Sequence, residues 1–378
     1  MPDPIASIFH LTDMHLFVDE SGERRDGALP SARLLTKIAR RTPVPSAQAL
    51  FSGAMWHNEE PLLALWEILP ELIKGSSGDG EAPVIVVQGG DVEALGSAAR
   101  PEHGGYSAFP SWSFLHNHLH PVSGQWPWWD IYGNHDTWPG TYPMMRWRHR
   151  AINRARIASI PGLEGPWPNT LEVWGSPTNI PVVLTRLNTV SRTLLTETLA
   201  SGRVSDHPPG GKSTEEALDD LADMLEPWLD REAVRIVSMH HPPHVAGASG
   251  RRFTAGWLEG REELAERLSD LGVQLVLAGH THKLNPARDS TYTAEGTQAP
   301  LVWPTSQLVA ESPTQDSVDE LRSTGQYSGL QPRSFSRYQL LVEAGTLEVE
   351  RTVFNYSDAR GDFAPEVSTR VFSGLPLV

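Results

Sequence analysis

Cysteine is absent from all 378 residues. That removes disulfides, thiolate nucleophiles and zinc–thiolate sites together, and it fits a reducing compartment. Long apolar runs are missing too. The longest stretch, Leu62 to Ile73, is interrupted by Glu67, Pro70 and Glu71 and falls well short of the roughly 20 residues a membrane-spanning helix needs. Positive charge is scarce: Lys and Arg total 31 against 46 for Asp and Glu, a formal charge of −15. A broad basic face for nucleic acid or an anionic membrane is therefore not expected. Ile5 to Leu11 already reads as a strand entering a turn at Asp13, which leaves no room for a removable leader. The expectation from these absences is a soluble, cytoplasmic protein without membrane partners.

What the chain does contain is one unit used repeatedly: a β-branched strand followed by a turn of Asp, Asn or His. The strand Ile5 to Leu11 runs into Asp13 and His15; residues two apart on a strand share a face, so carboxylate and imidazole would converge. Pro83 to Val87 reads as a strand buried on both faces. It ends in Gln88-Gly89-Gly90-Asp91, where the glycines allow a sharp turn that exposes Asp91 at the same rim. Trp128 to Tyr132 delivers Gly133, Asn134, His135 and Asp136. Val234 to Ser238 delivers His240 and His241, followed by Pro242 and Pro243. Adjacent side chains on an extended backbone point to opposite sides, so at most one of these two histidines is expected in a given metal site. Val273 to Leu277 ends in Gly279, His280, Thr281 and His282, repeating the spacing of Asp13 and His15.

Between these strands lie helical patterns at Ser31 to Arg41, Glu59 to Lys74, Glu215 to Leu229 (N-capped by Thr214) and Glu262 to Leu271. Further strands are expected at Leu171 to Trp174 and Val182 to Asn188. Arg337 to Val342 and Leu347 to Phe354 form a hairpin that would complete a sheet. Ser201 to Ser213 reads as a surface excursion, 311–333 as an exposed loop, and the tail after Tyr356 carries no pattern. The fold class is α/β, organised as one domain over 1–378 with its core in about 1–310 and the hairpin in about 337–354.

Tryptophan is concentrated around 105–147, with His116, His118 and His120 interleaved. A helix from Ser111 to His120 would set His116 and His120 on one face, suited either to a metal or to aromatic packing around an insertion. Arg24 and Arg25 suit a phosphate clamp or a solvated loop. Trp138, Tyr142, Met144, Met145 and Trp147 follow the Gly-Asn-His-Asp turn as a cleft wall or a packed flap.

Five strand ends thus present oxygen and nitrogen donors without sulfur. That set suits Mn²⁺, Fe or Zn²⁺ and is too rich in nitrogen for Ca²⁺ or Mg²⁺ alone. It is also too large for one ion, and two divalent ions about 3.5 to 4 Å apart are a standard apparatus for phosphoester cleavage.

Read in order, Asp-x-His, Gly-Asp, Gly-Asn-His-Asp, His and Gly-His-x-His resemble the calcineurin-like metallophosphoesterase superfamily, over Asp13 to His282. The resemblance implies a four-layer αββα sandwich, with two mixed sheets packed face to face and flanked by helices. It implies two divalent or mixed-valence metal ions (Mn, Fe or Zn), with Asp13, His15 and His282 on one, Asn134, His240 and His280 on the other, and Asp91 bridging. His135 is then the non-ligand histidine facing the leaving-group oxygen. His241 packs or hydrogen-bonds nearby, and Asp136 holds the loop or favours the imidazolium. The implied reaction is hydrolysis of a small phosphomonoester or phosphodiester by a metal-bridging hydroxide. A nuclease is the alternative suggested by Arg146, Arg148, Arg150, Arg154 and Arg156, against the acidic balance. A catalytically inactive scaffold is opposed by the complete donor set. The chain departs from many relatives at Leu187-Asn188-Thr189, where they carry an aspartate, and in its tryptophan-rich region, which leaves the substrate open.

Overall fold

β-Branched and aliphatic runs become parallel strands, and their ends create the site. The computed structural model describes residues 4–16, 60–76, 82–92, 110–118, 127–137, 157–158, 160–175, 178–190, 202–205, 212–243, 258–280, 291–292, 301–302, 319, 323, 333–366 and 368–377. Its strands are β1 (Ala6–Leu11), β2 (Val84–Gly89), β3 (Trp128–Ile131), β4 (Asn169–Trp174), β5 (Pro181–Arg186), β6 (Gly202–Arg203), β7 (Val234–Ser238), β8 (Leu258–Glu259) and β9 (Leu275–Leu277). Six more follow: β10 (Thr291–Tyr292), β11 (Leu301–Val302), β12 (Ser334–Glu343), β13 (Thr346–Ser357), β14 (Asp362–Pro365) and β15 (Thr369–Pro376). The α-helices are α1 (Glu60–Ser76), α2 (Pro110–His118), α3 (Asn134–Thr137), α4 (Thr214–Leu225) and α5 (Arg261–Asp270).

One sheet runs β14-β13-β12-β1-β2-β3, with β15 also paired to β13; a second runs β10-β11-β9-β7-β5-β4. The central pairs β1/β2, β2/β3, β5/β7 and β7/β9 are parallel. Their carboxyl ends therefore fall on one edge of each sheet, the usual location of ligand sites in α/β folds.

Alternation along the strands assigns each face. On β1, Ala6 and Ile8 join an apolar cluster with Val182, Leu184, Ile236 and Leu277 of the other sheet. Phe9 and Leu11 pack instead with Leu62, Leu65 and Leu69 of α1 and Trp112 of α2. On the second sheet, Val183, Val237 and Val276 meet Leu218, Leu221, Leu264 and Leu268 of α4 and α5. A one-residue slip in any central strand would exchange these faces, so the apolar pattern fixes register.

The mixed α/β architecture and the helices at α1 and α5 agree with the sequence pattern to within two residues. The C-terminal hairpin forms as expected, and β12 joins the first sheet antiparallel to β1. Four expectations are corrected. The N-cap of α4 is Ser213: its Oγ accepts from Glu216 N at 3.2 Å while Glu216 Oε2 accepts from Ser213 N at 2.7 Å. The reciprocal pair satisfies two free donors, which Thr214 alone would not do. The helix also stops at Leu225, because Pro227 lacks the N–H that would continue the α-ladder, and Glu226–Trp228 closes as a 3₁₀ turn. Part of the expected surface excursion is core-bound. Gly202–Arg203 pairs with Leu258–Glu259, Val204 is buried, and Asn188 Nδ2 donates to Ser205 Oγ at 2.9 Å. The tail after Tyr356 is not patternless either, since β14 and β15 both pair with β13.

Two tryptophans have a structural task. Trp129 and Trp167 sandwich the buried guanidinium of Arg186, with its Cζ 4.4 Å and 4.7 Å from the two rings, an arrangement that compensates part of the lost hydration. Arg186 also donates to Asp130 O at 3.2 Å and to the Gly162 carbonyl.

Among the described residues no helix is long and apolar enough to cross a membrane. The helix expected at 31–41, Arg24, Arg25, His120, Trp126, Trp138 with the aromatics after it, the arginines at 146–156, most of 311–333, and His282 lie outside the described residues.

Candidate metal centre

The donors reach one place through backbone turns. Asp13, His15, Asp91 and His280 all adopt left-handed conformations, with φ of 55°, 53°, 53° and 68°. They are four of the six non-glycine residues with positive φ among those described. Each such residue costs on the order of 1 to 3 kcal/mol, which the surrounding fold must outweigh. This corrects the strand argument for Asp13 and His15. They lie beyond the end of β1, and their approach comes from this turn geometry, not from a shared strand face.

Asp91 stands at the centre. It is fully buried, its Oδ1 accepts the backbone N–H of His135 at 2.8 Å, and its Oδ2 has no hydrogen bond. Around Oδ2 stand His240 Nε2 at 3.1 Å and His15 Nε2 at 3.7 Å. His240 Nε2 is also 3.0 Å from Asn134 Oδ1. On its other side His240 Nδ1 donates to Gly89 O at 2.9 Å. A carbonyl oxygen only accepts, so Nδ1 carries a proton and Nε2 is left to face Asp91 and Asn134. Asp13 is oriented by the His280 N–H, at 2.8 Å and 3.0 Å from its two oxygens, and by Thr12 Oγ1 at 2.6 Å. Two glycines permit this crowding: a Cβ on Gly133 would overlap Asp91 and His240, and one on Gly279 would overlap Thr12 and Asp13.

Three overlapping groups of donors result, each with its ligand atoms within 4.8 Å of one another: Asp13, Asp91 and His240; His15, Asp91 and His135; and His240, His241 and His280. A carboxylate oxygen buried without a hydrogen bond and flanked by two imidazoles, one of them also against an amide oxygen, is the environment a divalent cation fits. Of the eight residues expected at the site from sequence, seven (Asp13, His15, Asp91, Asn134, His135, His240 and His280) are brought together; His282 lies beyond the last described residue of the Gly-His-x-His turn.

The extended backbone expected under His240 and His241 is not what forms, and both residues reach the third group. The extended chain of β7 ends at Ser238, and both histidines lie in the bend that follows, with rings edge-on at 4.9 Å. Alternation no longer governs where they point. His241 is held by Thr189, whose Oγ1 lies 3.0 Å from both His241 N and His241 Nδ1.

Asp136 holds the turn that carries Asn134 and His135. Its Oδ2 accepts Gly133 N at 2.7 Å and Asp91 N at 2.9 Å, and its Oδ1 accepts Trp112 Nε1 at 3.2 Å. Ser111 Oγ meanwhile donates to Leu16 O at 3.2 Å, so the start of α2 is tied to two donor-bearing turns. Sequence reading did not assign this role to Trp112; its only signal was tryptophan enrichment beside the turn.

Electrostatics follow from this packing. Burial pushes Asp91 upward, but His240 and His135, with polar contacts from His15 and His240, outweigh it and hold the carboxyl well below its usual range. Burial pushes His240 down, while Asp91, Asp13 and the Gly89 carbonyl raise it to about 9. Burial, His280 and His240 hold His241 well below the usual imidazole range. Proton and cation compete for the same face of His240.

Histidine, aspartate and asparagine donors gathered at the carboxyl ends of parallel strands define an α/β protein with a candidate metal centre. The calcineurin-like phosphoesterase family model matches residues 6–284, and the chain belongs to that family. No curated protein sequence matches it. Among solved structures it is similar to purple acid phosphatase PPD1 isolated from yellow lupin (Lupinus luteus) seeds, with a TM-score of 0.48 and 12% identity over 97% of this chain and 53% of that one. It is also similar to a presumptive 5'-nucleotidase from Staphylococcus aureus, with a TM-score of 0.38 and 11% identity over 99% of this chain and 54% of that one. The chain spans about half the length of these proteins.

Proposed function

We propose that the protein is a metal-dependent hydrolase that cleaves a small phosphomonoester or phosphodiester at this centre. The observation that carries the reading is Asp91 Oδ2, a buried carboxylate oxygen without a hydrogen bond, flanked by His15 and His240, with Asn134 Oδ1 against the same His240 Nε2. Asp13 and His15, with His282, would hold one cation, Asn134, His240 and His280 would hold the other, and Asp91 would serve both. Such a pair of cations (Mn, Fe or Zn) would supply Lewis acidity to activate water and to neutralise phosphoryl oxygens. The remaining chemistry belongs to the chain. His135 lies half-buried beside His15, ring centroids 4.5 Å apart, where its imidazole protonates the departing alkoxide. Asp136 holds the His135 turn through three accepted hydrogen bonds and has no direct part in the proton transfer.

The purified protein, tested with Mn²⁺, Fe²⁺ or Zn²⁺ on p-nitrophenyl phosphate and bis-p-nitrophenyl phosphate, is expected to release nitrophenol with at least one metal and not in the presence of chelator. Turnover that survives complete removal of metal would overturn the reading.

A further inference from the structure

His241 has no role in the ligand sets above, yet it is fully buried and its Nε2 has no hydrogen-bond partner. A buried donor or acceptor without a partner costs free energy unless a bound group supplies one. Its Nδ1 edge is occupied. Thr189 Oγ1 sits 3.0 Å away, and a Cβ on Gly202 would overlap Cγ and Nδ1 of the ring. The ring is therefore braced from behind by Thr189 and Gly202, with its Nε2 edge turned away from them. In front lie His280, its ring centroid 4.3 Å from that of His241, and His240 at 4.9 Å.

The Thr189 hydroxyl favours one tautomer. It already accepts the His241 backbone N–H at 3.0 Å. Thr189 is 1% exposed, and among the described residues the acceptor within reach of its single proton is His241 Nδ1. When Nδ1 accepts, the neutral imidazole carries its proton on Nε2. An Nε2 that bears a proton has no lone pair for a metal, but it is a good donor to an anion.

We propose that His241, fixed by Thr189 as the Nε2–H tautomer, is a substrate-binding residue that donates a hydrogen bond to a phosphoryl oxygen on the His240–His280 side of the site and is not a cation ligand. This rests on the phosphoester reading above. It makes Thr189 a positioning residue: a carboxylate in its place would accept from Nδ1–H and select the opposite tautomer.

The test uses the full chain and two titrations followed by calorimetry: Mn²⁺ alone into metal-free protein, then inorganic phosphate into Mn²⁺-loaded protein. In His241→Phe and Thr189→Val, Mn²⁺ stoichiometry and affinity are expected to stay within about twofold of the parent, while phosphate affinity falls about tenfold or more, as for a lost hydrogen bond to a charged group. His241→Gln, whose amide can replace the Nε2 donor, is expected to recover part of the phosphate affinity. A tenfold loss of Mn²⁺ affinity in His241→Phe would make His241 a ligand and overturn the proposal, and so would unchanged phosphate affinity. Nitrogen-15 spectra of the unmutated protein, labelled at histidine, give an independent reading. A protonated Nδ1 and bare Nε2 at His241 would also overturn it, whether or not the variants fold. If the Mn²⁺-loaded parent binds no phosphate at all, the phosphoester reading is what fails, and the tautomer result still stands apart from it.

Discussion

The indole Nε1 of Trp112 donates to Asp136 Oδ1 at 3.2 Å, and the other oxygen of that carboxylate accepts the backbone N–H groups of Gly133 and Asp91. One buried carboxylate thus joins helix α2 to two donor-bearing turns. Trp112→Phe keeps most of the packing and removes the donor. We expect a stability loss of about 1 to 2 kcal/mol in urea unfolding and a several-fold loss of Mn²⁺ affinity by calorimetry. Unchanged metal affinity would confine Trp112 to packing.

Asp91 Oδ2 faces His15 and His240 at once, so its removal should disturb both of the proposed cation positions. In Asp91→Ala the expected outcome is loss of activity and fewer than two equivalents of bound metal by elemental analysis. Full activity in this variant would refute the bridging assignment.

In the proposed assignment His135 is separable from the ligands. For His135→Ala, kcat is expected to fall by roughly 10²- to 10⁴-fold, the usual range for a general acid, with metal content unchanged. A matching loss of metal would assign His135 to coordination instead of proton transfer.

His10 gives a pH signature of its own. Burial, with the charge of Arg351 and against the pull of Asp13, lowers its pKa from 6.5 to about 3. Neither ring nitrogen has a hydrogen-bond partner. Unfolded chain takes up a proton below pH 6.5 that folded chain refuses until about pH 3, so the contribution is fully present above 6.5 and is lost as pH falls between those values. The slope approaches about 1.4 kcal/mol per pH unit. His10→Phe should flatten that part of the stability profile in urea titrations at pH 4 to 7; an identical slope in both proteins would show that His10 titrates normally.

The parts legible in the sequence were those carried by periodicity and by motif. Ile8 and Phe9 lie on opposite faces of β1 because strand alternation is local, and Val234 to Ser238 became a strand with the expected bounds. Asp91, Asn134 and His240 meet because each follows such a strand. The errors arose where tertiary contacts decide. Nothing local tells that His240 and His241 lie in a bend instead of on a strand, or that Ser213 reaches Glu216 before Thr214 can act as cap. The core-bound stretch at Gly202 to Ser205 depends on Asn188 and Leu258, distant in sequence. Trp112 could be read as apolar; its hydrogen bond to a residue 24 positions away could not.

Four donor-bearing residues hold left-handed backbone conformations, and each of their N–H groups bonds to the protein itself: Asp13 to Gly90 O, His15 to Asp91 O, Asp91 to Asp136 Oδ2 and His280 to Asp13 Oδ1. The scaffold thus shapes the donor turns. Ion uptake should therefore resemble filling a rigid socket: fast, single-phase, with little change in amide hydrogen exchange along β1, β2 and β7. The free energy of coordination then goes mainly into affinity, with little diverted to ordering the chain.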